Sequence, residues 1–200
     1  MTAMPDERPR RVDPRIDRTR RLVLTATFDL IAEVGLAAAT LERIAERSGV
    51  SRTTIYRRWP DRSRLYLEAF HPLEAPPVVA VTGDLRTDLR EYLGRAADAL
   101  NDERYAAVLL ALLDRALRDT DYRDRYRDVQ RRSTAPAAAV LQRAVEAGEL
   151  ADELDVPEAL GRLLGPLVWV RLVRQEAITP AFLDSTLDGF LGQHGVAQPR

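Results

Sequence analysis

The chain contains no cysteine. That excludes disulfides, thiolate zinc sites, iron–sulfur clusters and thiol nucleophiles. Histidine occurs only as His71 and His194, so one chain cannot assemble a multi-histidine metal site. Lysine is also absent, and all 30 basic residues are arginine. We read this as base-composition bias in the coding genome, not as chemistry. No stretch approaches about 18 uncharged apolar residues, and the N-terminus carries no long apolar run. The expectation is therefore a cytoplasmic protein with neither signal peptide nor membrane span. What is present is a globular composition, 46% hydrophobic and 30% charged over 200 residues. That excludes a mostly disordered chain and permits burial of roughly 70% of the exposable surface.

The net charge of −1 conceals an asymmetry. Residues 1–70 hold 14 arginines against 10 acids, whereas residues 71–200 hold 16 against 21. At the tip, Arg8, Arg10, Arg11, Arg15, Arg18, Arg20 and Arg21 face only Asp13 and Asp17. A basic first third on an acidic remainder fits a nucleic-acid-binding head joined to a body with another task. Residues 1–15, with three prolines and few apolar groups, predict a mobile basic arm.

From Ile16 onward apolar residues recur at three and four positions, the period of a helix buried on one side. Val23, Ala26, Thr27, Leu30, Ile31 and Val34 form the first stripe, and Gly35 is its stop. Thr40 caps a short helix over 41–48, Ser51 caps another over 52–58, and Pro60-Asp61 opens a fourth to about Ala69. After a proline-rich loop, five more helices follow, near 85–96, 105–116, 122–145, 157–174 and 180–191. Pro136 should kink or split the third of these, and Asp155 with Glu158 makes a capping box. No segment alternates with period two. The reading is all-α, with nine helices.

Thr40 to Trp59 reads T-L-E-R-I-A-E-R-S-G-V-S-R-T-T-I-Y-R-R-W. A short helix, a glycine-containing turn and a second short helix opened by serine is the helix-turn-helix pattern. The first helix braces the second, which fits the major groove, roughly 12 Å wide. Arg52, Thr53 and Thr54 lie at the groove-entering end, Tyr56 and Arg57 one turn on, and Ile55 is core. Arg58 and Arg62 are placed to grip the phosphate backbone. The pattern extends into A-E-V-G-L (Ala32–Leu36) before it and D-R-S-R-L (Asp61–Leu65) after it.

Over Arg21–Leu65 this order and spacing resembles the TetR family of bacterial transcriptional repressors. L-Q-R-A-V-E-A-G-E-L (Leu141–Leu150) and L-L-G-P-L-V-W (Leu163–Trp169) are similar to one of its C-terminal subtypes. The resemblance implies a three-helix DNA-binding head, a larger C-terminal regulatory and dimerisation domain, and a homodimer. Tyr56 and Arg62 match its phosphate contacts; Arg62 stands where lysine is usual, and Trp59 where phenylalanine is common. We divide the chain into the arm at 1–15, the head at 16–65 and an effector-binding and dimerisation domain at 66–200. The DNA-contact set is Arg52, Thr53, Thr54, Tyr56, Arg57, Arg58 and Arg62, with Thr40.

The body invites two further expectations. Tyr105, Leu109, Tyr122, Tyr126 and Trp169 line an effector pocket, against the reading that aromatics at helical spacing are core. Leu160, Leu164, Leu167, Phe182, Leu183, Leu187 and Phe190 form a dimer interface on the last two helices, where Gly161 and Gly165 allow close approach. The partners expected are double-stranded operator DNA, a second copy of the chain and a small, largely apolar effector, with no cofactor, metal or membrane. Arg171 and Arg174 suit an anionic effector or ordinary salt bridges. Asp119, Asp121, Asp124 and Asp128 read as a solvated face. An all-helical enzyme lacks a nucleophile–base or carboxylate constellation. A TetR-like protein that bridges DNA without sensing a ligand stays open.

Overall fold

A computed structural model describes residues 14–70 and 82–196. The predicted arm falls almost wholly outside these residues, as does His71. Nine α-helices are present among the described residues: α1 (Pro14–Ala38), α2 (Leu41–Ser48), α3 (Arg52–Arg58), α4 (Arg62–Phe70), α5 (Leu85–Asn101), α6 (Glu103–Arg118), α7 (Thr120–Glu146), α8 (Val156–Val168) and α9 (Pro180–His194). A π-turn, Trp169–Val173, extends α8. The all-α expectation holds.

Each body helix opens at a side-chain cap that accepts an otherwise orphaned backbone N–H. Asp84, Asp102, Asp119, Asp155 and Thr179 serve α5 to α9 in turn. The expected capping box is half made. Asp155 accepts from the Glu158 N–H at 2.8 Å, but the Glu158 carboxylate turns to Arg162 instead of reaching back. Gly35 interrupts α1 with φ 76° and ψ 169°, where a helix stop was expected. Pro136 does not split α7, which runs unbroken from Thr120 to Glu146. Proline leaves the carbonyl four residues earlier without its N–H. That residue, Arg132, is exposed, so water can take the freed carbonyl.

One apolar cluster runs through both ends of the molecule. Leu24, Ile31, Ile44, Ile55, Trp59 and Leu65 fill the head; Leu89, Leu93, Leu112, Leu141, Leu163 and Leu187 fill the body. α1 packs along α2 and α4 on one side and α6 on the other. Val34, assigned to the inward stripe, is exposed, one position before the break at Gly35. The α8–α9 connection is tied to the end of α5 by Asn101, whose amide exchanges two bonds with Ile178, at 3.0 and 2.9 Å. Arg171 donates to the Leu100 carbonyl and Arg174 pairs with Glu176, so both arginines are structurally engaged. His194 is not in a frayed tail. Its carbonyl accepts from the Ala151 N–H, and its ring lies against Phe190.

Asp88 is a fully buried carboxylate. It accepts from the Thr82 N–H and hydroxyl and from the Arg143 guanidinium at 2.8 Å, which ties the start of α5 to α7. Burial alone would push its pKa up, but the bonds from Thr82 and Arg143 outweigh it and hold the group at about 2. A native pKa below the unfolded value gives stability that is complete above the unfolded pKa and is lost as pH falls through the native one. Asp88→Ala is expected to cost about 2–4 kcal/mol in urea unfolding at pH 7, since it strands a guanidinium. The gap between wild type and variant should narrow as pH falls from 5 towards 2; a gap independent of pH would show that the carboxylate charge is immaterial.

Candidate nucleic-acid interface and body cavity

α2 and α3 are too short to persist alone, so their placement comes from caps and from what lies beneath them. The Thr40 hydroxyl accepts from the Arg43 N–H, and Gly49, with φ 68°, makes the left-handed turn out of α2. The Ser51 hydroxyl then accepts from the Thr54 N–H. Ile55 and Trp59 bury one side of α3. The Trp59 indole N–H donates to Glu68 of α4 at 3.0 Å, and Glu68 also holds Arg64 and Arg20. The Tyr66 hydroxyl donates to the Ala39 carbonyl at 2.8 Å, and Arg47 makes two 2.7 Å bonds to Glu33.

The other side of α3 presents Arg52, Thr53, Tyr56 and Arg57 to solvent, with Tyr56 61% exposed. Arg52 pairs with Glu42 at 3.5 Å. Both side chains are more than half exposed, so the pair is weak and Arg52 is readily released. Arg58 lies over the Trp59 ring at 5.3 Å, and Arg62 is exposed at the start of α4. Thr54 and Thr40 sit apart from this set: the Thr54 hydroxyl bonds Ser51 and Thr40 caps α2.

In the body, a cavity of about 350 Å³ opens between α5, α6, α7 and α8. Tyr105, Leu109 and Tyr126 line it. Tyr122 and Trp169 do not, which corrects that part of the sequence reading. Tyr122 lies one turn before Tyr126, buried under Arg115, and its hydroxyl finds no partner among the described residues. Trp169 follows Val168, which does line the cavity; one step around a helix is about 100°, and the ring emerges 58% exposed. Sequence reasoning missed Tyr92, Gln130 and Thr134. Gln130 and Thr134 follow Tyr126 at four-residue steps, a signal that was available on α7.

The expected dimer residues also divide. Leu167, Leu183, Leu187 and Phe190 are buried in the protomer's own core, while Leu160, Leu164 and Phe182 are half-buried. A leucine stripe serves the nearest apolar partner, which here is α5 and α7. The outward surface of α8, its π-turn and α9 includes Gly161, Gly165, Trp169, Val173, Gly189 and Gly192, interspersed with polar groups such as Arg162, Ser185 and Asp188.

A helix-turn-helix braced by a third helix, with a cationic exposed side on its second helix, defines a DNA-binding transcriptional regulator rather than an enzyme. Residues 23–69 match the family model described as bacterial regulatory proteins, tetR family, and residues 79–190 match the tetracyclin repressor-like C-terminal domain. The chain belongs to the TetR family. It is 27% identical to the HTH-type transcriptional regulator YdeS of Bacillus subtilis, over 90% of this chain and 91% of that one. Among solved structures it is similar to the TetR family transcription regulator SCO0332, with a TM-score of 0.70 and 32% identity, covering 88% of this chain and 97% of that one. It shares the fold of the regulator FadR from Bacillus subtilis, solved with stearoyl-CoA (TM-score 0.69, 19% identity, 86% of this chain and 97% of that one).

Trp59→Phe keeps most of the ring but removes the bond to Glu68. It is expected to cost about 1–2 kcal/mol and a few degrees in Tm. Glu33→Ala, which breaks an exposed pair, should cost under about 1 kcal/mol. Thermal unfolding of both variants checks the ranking, and equal losses would remove the special role of the Trp59 bond.

Proposed function

We propose that the protein is a homodimeric repressor that holds a double-stranded operator through α3 and leaves it when a small, largely apolar effector enters the body. The reading rests on one observation above others: Ile55 and Trp59 anchor α3 from below, so Arg52, Thr53, Tyr56 and Arg57 stand together on its free side. Arg52, Thr53 and Arg57 read base edges. Tyr56, Arg58 and Arg62 hold phosphates, and the N-terminal arginines add salt-sensitive grip. Thr40 serves this surface by capping α2, and Thr54 by bonding Ser51, the cap of α3. The head is the segment up to about residue 65, the remainder carries effector and dimer functions, and the protein works in the cytoplasm on DNA.

Arg52→Ala or Arg57→Ala is expected to relax discrimination by roughly 1–3 kcal/mol if the guanidinium holds one base bidentately. Arg62→Ala should instead weaken operator and scrambled DNA alike and reduce the salt slope by about one. The operator is found by selection from random DNA, and binding is then measured across salt concentrations. An Arg52→Ala, Tyr56→Ala, Arg62→Ala triple variant with unchanged affinity and slope would sink the assignment.

Two heads reading two half-sites require a twofold dimer. The exposed glycines of α8 and α9 suit close helix pairing, since a Cβ added at Gly161, Gly165, Gly189 or Gly192 meets nothing in the protomer. Gly189→Arg is therefore expected to leave the fold intact and separate the subunits in sedimentation. Leu187→Arg would unfold the protomer instead, because Leu187 is 0% exposed within it. A wild-type chain that sediments as a monomer at micromolar concentration contradicts the dimer.

A further inference from the structure

The chemistry of the body cavity's wall limits what can occupy it. Much of that wall is alanine and leucine, and its hydroxyl-bearing rings are Tyr92 on α5, Tyr105 on α6 and Tyr126 on α7. The Tyr126 hydroxyl accepts from the Gln130 amide, which fixes its place while leaving its own O–H to donate. The Tyr92 and Tyr105 hydroxyls form no hydrogen bond with any described residue. Burial raises the pKa of both, that of Tyr105 to about 12, so each keeps its proton at neutral pH and can donate to an acceptor in the cavity. Among the described lining residues there is no carboxylate, and the cation there, Arg95, is ion-paired with Glu91 a turn earlier on α5. An anionic ligand would have to share Arg95 with Glu91, and an ammonium would find no counter-charge among the described lining residues. Tyr105 also touches α4, the helix that joins head to body. Its ring stacks on Phe70, the last residue of α4, with centroids 4.8 Å apart.

We propose that this cavity takes a neutral, mainly apolar molecule carrying a carbonyl oxygen, such as a ketone, ester or lactone, and that Tyr105 is the residue that donates to that oxygen. The ligand is anchored through a ring already in contact with α4. The binding chemistry stands on the cavity alone; its consequence for DNA rests on the release reading above.

The test uses one skeleton in three forms: naphthalene, 2-acetylnaphthalene and 2-naphthoate. Each is titrated into the full-length protein, into Tyr105→Phe, which keeps the stack on Phe70, and into Leu109→Trp, which fills the cavity. Binding is followed by protein NMR. The ketone should bind wild type about tenfold more tightly than the hydrocarbon or the carboxylate, the worth of one well-made buried hydrogen bond. Tyr105→Phe should bring ketone and hydrocarbon to within about threefold, and Leu109→Trp should abolish binding of all three. A carboxylate that binds as well as the ketone overturns the proposal. So does a ketone preference that survives Tyr105→Phe, or a failure of all three to bind at millimolar concentration. Operator affinity is measured with and without the ketone in parallel. Ketone binding that leaves operator affinity unchanged would refute release and leave the ligand chemistry standing. Release driven by the carboxylate alone would do the reverse.

Discussion

The burial of Trp59 beneath α3 is the constraint on which the exposed cationic surface of the helix-turn-helix depends. A helix of seven residues has too few internal hydrogen bonds to hold its own shape or direction. Ile55 and Trp59 give it an apolar underside, and the indole bond to Glu68 joins its C-terminal end to α4. Because Glu68 also collects Arg64 and Arg20, the same carboxylate ties α3 to α4 and α1. The exposed arginines and Tyr56 then occur on the free side because the opposite side is committed.

The head does not float on the body. α1 packs on α6, where Arg104 pairs with Asp29 and lies over the Phe28 ring. Arg125 of α7 pairs with Asp61 at the entrance to α4, and Tyr105 stacks on Phe70 at its exit. Both ends of α4 are therefore held by the body helices that line the cavity. A shift of α6 or α7 has a mechanical route to α3, because α4 also carries the Glu68 bond to Trp59. The exposed ion pairs contribute little stability singly.

The body is stiffened by polar groups more than the leucine pattern alone indicates. Aspartate caps start α5, α6, α7 and α8, and Asp88 binds the start of α5 to Arg143. Arg86 and Arg90 reach Asp188 and Asp184, pairing α5 with α9. A body fixed at these points can leave a cavity between α5, α6, α7 and α8 without collapsing into it.

Local chemistry carried most of the fold. Caps at Thr40 and Ser51, the break at Gly35, and the threes-and-fours of leucine determined nine helices and their approximate ends, because these signals act within one or two turns. The helix-turn-helix was legible for the same reason, including the inward Ile55 and the outward Tyr56. Which side of a helix meets which neighbour was decided only by the tertiary structure. Leu187 and Phe190 looked like interface and are core, since α9's stripe finds α5 within the protomer first. Tyr122 and Tyr126 are four apart on one helix, yet one is sealed under Arg115 and the other faces the cavity. Trp169 is turned outward one step beyond Val168. Asp88 shows nothing in sequence beyond an ordinary exposed helix position; its burial depends on Thr82 and on Arg143, 55 residues away, whose bonds offset the cost of desolvating the charge.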